Sequence, residues 1–208
     1  MLGVVEHWKR EREEPVVGRI KEEYADPFAI LVGTVLSLRT RDAVTEIAFH
    51  RLWRLASTPH SLLSLSLSQL EAAIRPVGFY RTKARSLKAM AKILLERHGG
   101  EVPRDLESLL DLPGVGRKTA NLVVTEAFGR PGICVDTHVH RIVNWWGFVQ
   151  TRSPDKTEQI LRRTLPKEWW LSINGLLVSF GQSVCKPVGP KCGECPVFKM
   201  CPYPQKKC

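Results

Sequence analysis

The sequence predicts an all-α protein, on three observations. No stretch alternates apolar and polar residues for long enough to make a useful strand. Apolar residues recur instead at three- and four-residue spacing, as in Ala84, Leu87, Met90, Ile93 and Leu94, which share one face of a helix. The ends of such segments carry helix punctuation, with Asp26-Pro27 and Ser153-Pro154 as starts and Gly99-Gly100, Gly129 and Gly147 as stops.

Taken in order, residues up to about Arg19 are charged, with Trp8, Val16 and Val17 as docking points. Asp26 then caps a helix whose run Phe28, Leu31, Val32, Val35 and Leu36 reads as nearly buried. Arg39-Thr40-Arg41-Asp42 breaks it, and Asp42 is placed to cap a second helix carrying Ile47, Leu52, Trp53 and Leu55. Ser61–Leu70 reads as a loop leading into a short helix that runs through Leu70 and Ile74 to Pro76. Val77-Gly78-Phe79-Tyr80 is a bend, and a long helix spans Thr82 to His98. Two further helical patterns, Leu106–Leu112 and Ala120–Phe128, are joined by Pro113-Gly114-Val115-Gly116 as a tight hairpin. Ile133-Cys134-Val135 is a short strand-like piece before Asp136, and a helix with Val139, Ile142, Val143 and Trp146 follows. Ser153-Pro154 opens another helix to about Leu165, and Pro166 opens a last long one through Trp169, Ile173, Leu177 and Phe180 towards Cys185.

Charge narrows the partner. The chain has 31 Lys and Arg against 21 Asp and Glu, a net +10, which points to a polyanion and most simply to nucleic acid. No apolar stretch is long enough to cross a bilayer, and residues 1–25 are charged rather than signal-like, so the expectation is a soluble intracellular protein with no membrane partner. Cysteine usage points to metal. The pattern Cys185-x6-Cys192-x2-Cys195-x5-Cys201 packs four thiols into one short loop, and without a secretory signal such clustering favours a metal centre over disulfides. Zinc ribbons pair two Cys-x2-Cys knuckles, whereas only one exists here, so an iron–sulfur cluster fits better than zinc, with disulfides the remaining alternative. Cys134 reads as a small core residue and Cys208 as a free terminal thiol.

The hairpin carries the second constellation. Gly114 and Gly116 leave backbone bare at the start of a helix, where N–H groups can meet a phosphate. Arg117 and Lys118 occupy the first turn, where the helix dipole disfavours cations, so something other than folding placed them there; the alternative is an ordinary corner with two solvated basic residues. A nucleophilic lysine must shed its proton from a reference pKa of about 10.4, and a helix N-terminus, the neighbouring Arg117 and a dry cleft all favour that. A carboxylate beside it would oppose the shift, so Asp136 is better assigned to positive charge developing in the reaction; its alternative role is the N-cap, and the two can coexist. In the loop Lys186–Lys191, Lys186 and Lys191 can reach a phosphate or simply sit in solvent.

The stretch Leu112–Ala120, the following Val135-Asp136-Thr137-His138, and the four-cysteine spacing together resemble the helix–hairpin–helix DNA glycosylase superfamily, in its endonuclease III branch. Leu36-Ser37, Gly78–Ala84 and Val139-His140-Arg141-Ile142 are further matches, and the similarity runs from about Pro27 to Cys201. The resemblance implies a two-domain, all-α helix–hairpin–helix glycosylase fold with a C-terminal loop whose four cysteines hold a cluster. Residues 20–130 would form a six-helix domain, and 1–19 with 131–208 a helical cluster domain. It implies base-excision repair by a bifunctional DNA glycosylase and abasic-site lyase that flips an oxidised pyrimidine out of duplex DNA. Lys118 would attack the sugar and β-elimination would cut 3′ to the abasic site, with Asp136 stabilising the sugar's charge. Cys185, Cys192, Cys195 and Cys201 would hold a [4Fe–4S] cluster. Gly114, Val115, Gly116, Arg39, Phe79, His138 and Lys191 would contact double-stranded DNA containing damaged bases or abasic sites, and the protein would act as a monomer. Two positions depart from the family pattern: Arg39 replaces a glutamine that fills the hole left by the flipped base, and Phe79 replaces a leucine wedged into the stack. Alternatives are a glycosylase for T or U opposite G, or for 8-oxoguanine, on the same scaffold, or a non-catalytic DNA-binding module.

Overall fold

The computed structural model describes residues 1–9 and 15–204, so Cys208 lies outside the described residues. Every regular element among them is helical. The charged N-terminus, expected only to dock, forms two helices. In α1 (Leu2–Lys9), Leu2 and Val5 are buried, and α2 (Val16–Tyr24) buries Val16, Val17 and Ile20. The chain gathers into two compact units, Val16–Arg130 and Met1–Pro15 with Pro131–Cys208.

The centre of the first unit is α3 (Pro27–Ser37). Asp26 caps it by accepting from the amide of Phe28 at 2.7 Å, Pro27 supplies the first helical position, and every residue from Phe28 to Leu36 is buried. Its neighbour α4 (Asp42–Leu55) is capped by Arg41 without a side-chain bond; Asp42 is the first helical residue, and its carboxylate accepts from the amide of Val16 instead. Leu52 is buried as the periodicity demands, but Ile47 and Leu55 are exposed. The Ser/Leu stretch is not a loop. It forms α5 (Pro59–Ser64) and α6 (Leu67–Ile74), each opened by a reciprocal capping box, Thr58 with Ser61 and Ser66 with Gln69. Helix α7 (Tyr80–His98) starts two residues earlier than the pattern indicates and ends on Gly99 in the left-handed region. The short α8 (Leu106–Leu110) and α9 (Arg117–Phe128) complete the unit. Helix α3 packs against α2, α4, α7 and α9, while α5 and α6 lie on α7.

In the second unit Ile133, Cys134 and Val135 are buried but form no strand; Asn174 donates to the Cys134 carbonyl at 3.2 Å in place of a ladder partner. Helix α10 (Thr137–Trp145) and α11 (Pro154–Thr164) follow. The expected last long helix is split: residues Lys167–Trp169 make one 3₁₀ turn, and α12 (Ile173–Ser183) begins only after it. Helix α12 packs on α1 and α10. The core joins Leu2 and Val5 to Val139, Ile142, Ile173, Leu177 and Phe180, with Trp8 edge-on to Phe180 at 5.3 Å.

Candidate functional site

The hairpin before α9 is built from inside outwards. Leu112 and Val115 are buried, and the Val115 amide donates to the Leu112 carbonyl at 3.0 Å, which commits that amide to the turn. Gly114 has φ +83°, and a Cβ there would lie 3.0 Å from Cβ of Ser86 on α7. Gly116, the N-cap of α9, has an ordinary extended backbone, and a Cβ would meet nothing within 4 Å. Neither sterics nor strain within the protein demands glycine at 116. Arg117 is exposed and Lys118 half-buried in the first helical turn, while Thr119 and Ala120 turn inwards.

Arg39 and Phe79 adjoin each other. Arg39 has φ +52° and Phe79 has φ +57°, the left-handed region that side chains ordinarily avoid. Phe79 is 63% exposed, and the Arg39 guanidinium lies over its ring, 5.5 Å from the centroid. Between them the backbone is tight: a Cβ on Gly78 would sit 2.6 Å from the Arg39 carbonyl oxygen. Beneath them is Lys83 of α7, which is buried and donates to the carbonyls of Leu36, at 2.8 Å, and Leu38 and to Oγ1 of Thr40 at 3.2 Å. Burial pushes the Lys83 ammonium down to about 8. The motif Gly78–Ala84 contains this lysine, but nothing in the sequence shows that its side chain runs inwards.

Asp136 is the N-cap of α10 and only 7% exposed; its Oδ1 accepts from the amides of His138 and Val139, both at 2.9 Å. His138 is half-buried, and a Cβ on Gly181 of α12 would come within 2.4 Å of its Nδ1, so the ring occupies a notch that only glycine leaves open. Arg141 reaches the same nitrogen at 3.3 Å and donates to the carbonyl of Cys185 at 2.6 Å. Burial lowers the pKa of Arg141, partly countered by Cys185 and Asp136. The matched run Val139–Ile142 contains Arg141 without showing that its side chain turns inwards, and Gly181 escaped the sequence reading because it looks like a helix flaw.

The four cysteines, all half-buried, line one pocket with Trp145, Trp146, Phe198 and Tyr203. Among the described residues no three His, Cys, Asp or Glu side chains converge on a point that could hold one metal ion. Burial pushes the Cys185 thiol up to about 12, against the opposing pull of Arg141. Lys191 is exposed and paired with Glu194 at 3.3 Å. Tyr203, beyond the last cysteine, stacks on Trp145 with centroids 4.1 Å apart.

The chain as a whole matches known proteins. The family model for HhH-GPD superfamily base excision DNA repair proteins covers residues 32–167. The chain is similar to endonuclease III of Thermotoga maritima, 46% identical over 182 residues, which is 88% of this chain and 85% of that protein. It superposes with a TM-score of 0.82 on a trapped endonuclease III–DNA covalent intermediate, at 41% identity, covering 86% of this chain and 84% of the other. A thermostable thymine-DNA glycosylase gives a TM-score of 0.84 at 25% identity over 96% and 92% of the two chains. The chain therefore belongs to the helix–hairpin–helix superfamily of base excision DNA repair proteins, among the endonuclease III DNA glycosylases and abasic-site lyases.

Proposed function

We propose that this chain removes oxidised pyrimidines from duplex DNA and cuts the strand 3′ to the resulting abasic site, with Lys118 as the nucleophile. The observation that carries the reading is the placement of Lys118: half-buried, in the first turn of α9, directly after a glycine whose outer surface is bare and one exposed arginine. A cation at that end of a helix works against the dipole, so folding alone does not account for the lysine. Neutral Nζ forms a bond to the sugar C1′ as the base departs with the bonding electron pair and takes up a proton. Ring opening then gives a Schiff base. Loss of a proton from C2′ drives β-elimination, which breaks the C3′–O bond and releases the 3′ phosphate. Asp136 offsets the positive charge on the opening sugar while its Oδ1 continues to hold the two α10 amides. The covalent DNA intermediate trapped in the similar endonuclease III structure supports a step of this kind. The hairpin glycines would approach the phosphates, with Arg39 and Phe79 entering the duplex at the vacated base and His138 and Lys191 near the backbone; Lys191 must then exchange Glu194 for DNA.

Cys185, Cys192, Cys195 and Cys201 would hold a [4Fe–4S] cluster. Each iron of such a cluster takes one thiolate, which suits sulfurs spread around a pocket wall better than sulfurs converged on one zinc. The cluster when bound would supply ligation that cross-links the loop. Arg141, donating to the Cys185 carbonyl, ties that loop to α10.

Borohydride trapping on thymine-glycol duplex tests the nucleophile. Wild type should give a covalent adduct, and Lys118→Ala should give neither adduct nor base release while still binding DNA. Strand cleavage by Lys118→Ala at the wild-type rate would overturn the assignment. The likeness to a thymine-DNA glycosylase supports a second reading, excision of T opposite G; faster turnover on a G·T duplex than on thymine glycol would favour it.

A further inference from the structure

We propose that Lys83 is a positioning residue for reading the base opposite the lesion, bracing the Arg39 and Phe79 loops from inside. This rests on the reading, given above, that those two side chains enter the duplex. The geometry carries it in four steps.

An ammonium has three N–H donors, and Lys83 uses each on a different acceptor: the carbonyls of Leu36 and Leu38 and the hydroxyl of Thr40. These lie at the end of α3 and in the segment that carries Arg39, so a cation on α7 closes the α3 carboxyl end from another helix. The Thr40 hydroxyl is itself fully used. It donates to the Leu38 carbonyl and accepts from Lys83 and, at 3.2 Å, from the amide of Gly78. One polar knot thus joins the Arg39 turn to the Phe79 turn.

Second, both turns hold a non-glycine residue in the left-handed region, a conformation that persists only where surroundings over-determine it. Third, what these two turns present outwards is an exposed aromatic ring beneath a guanidinium. A cleft of about 310 Å³, lined by Arg39, Phe79, Lys83, Ser86 and Gly114, connects this pair to the hairpin. Finally, burying an ammonium works against folding, and burial alone holds Lys83 at about 8. An apolar residue of the same length would fill the space without that penalty but would take a donor from all three acceptors, so the charge is kept for the turn it holds.

Two readouts separate positioning from mere support. One is the fluorescence of 2-aminopurine set opposite a tetrahydrofuran abasic analogue, measured with the duplex saturated by protein. The other is the ratio of single-turnover cleavage rates on thymine glycol opposite guanine and opposite adenine. Lys83→Met should lose the fluorescence change and move the ratio by about fivefold or more, the low end of what one base-edge contact contributes. Arg39→Ala should do the same. Thr40→Val, which keeps shape but deletes the shared hydroxyl, should shift both readouts in the same direction and decides the matter if Lys83→Met fails to fold. Wild-type fluorescence and ratio in Thr40→Val and in any folded Lys83→Met, with both altered in Arg39→Ala, would overturn the role of Lys83 alone. Unaltered readouts in Arg39→Ala and Phe79→Ala as well would overturn the duplex-entering pair and this inference with it.

Discussion

Gly114 and Gly116 stand two residues apart in one hairpin and are glycine for different reasons. Gly114 is held at φ +83° against Ser86, so Gly114→Ala should destabilise the fold by about 1–3 kcal/mol, read from urea denaturation. Gly116 has room for a methyl group, so Gly116→Ala should leave stability within about 0.5 kcal/mol while weakening binding to damaged and undamaged duplex alike. The sequence makes the hairpin plain, because two glycines around one valine between apolar helical runs allow little else. It does not separate the two roles, since φ and the Ser86 contact arise from tertiary placement. Asp136 was legible as a cap, and the two 2.9 Å bonds bear that out. Asp136→Asn retains a capping oxygen, so it should lose at most about 1 kcal/mol of stability while turnover drops severely. For Lys83 the pH dependence has a definite sign. Its folded pKa of about 8 lies below the value near 10.4 of an unfolded lysine, so the unfolded chain holds more protons through that window and stability rises with pH. In denaturation series from about pH 7.5 to about 9.5, wild type should gain on Lys83→Met.

At the scale of elements, α5 and α6 are the instructive pair. Repeated Ser and Leu obscured a code that was present all along: Thr58 and Ser66 each face a Ser or Gln three residues on, and both boxes close. Ser66→Ala should cost about 1 kcal/mol of stability in urea denaturation, an effect a loop serine would not have. The long helices were readable because Asp26-Pro27, Gly99 and Gly129 bracket strong periodic runs. Other elements were hidden by their partners. Helices α1 and α2 are rich in charge and become amphipathic only against the α12 and α3 that they pack on. Ile133–Val135 has the composition of a strand but lacks a partner strand, and Asn174 takes its carbonyl instead.

At the scale of the whole molecule, charge and chain order matter most. The net +10 predicts that affinity for duplex DNA falls steeply as salt rises, with a log–log slope of several units; a flat response in fluorescence anisotropy would contradict it. Iron and acid-labile sulfide should be found together in the purified protein, and chelating the iron should lower its melting temperature, since ligation and the fold of the cysteine loop are coupled. The division into two units has a consequence for biosynthesis. All of Val16–Arg130 is contiguous, so that unit can fold as soon as its last helix has left the ribosome. The other unit is assembled from chain on both sides of it. Leu2, Val5 and Trp8 precede Val16–Arg130 in the chain, yet the α12 surface that shelters them follows it. The nascent chain must carry the apolar side of α1 uncovered while Val16–Arg130 is made, which leaves Leu2, Val5 and Trp8 open to chaperones and to non-native contacts over that interval.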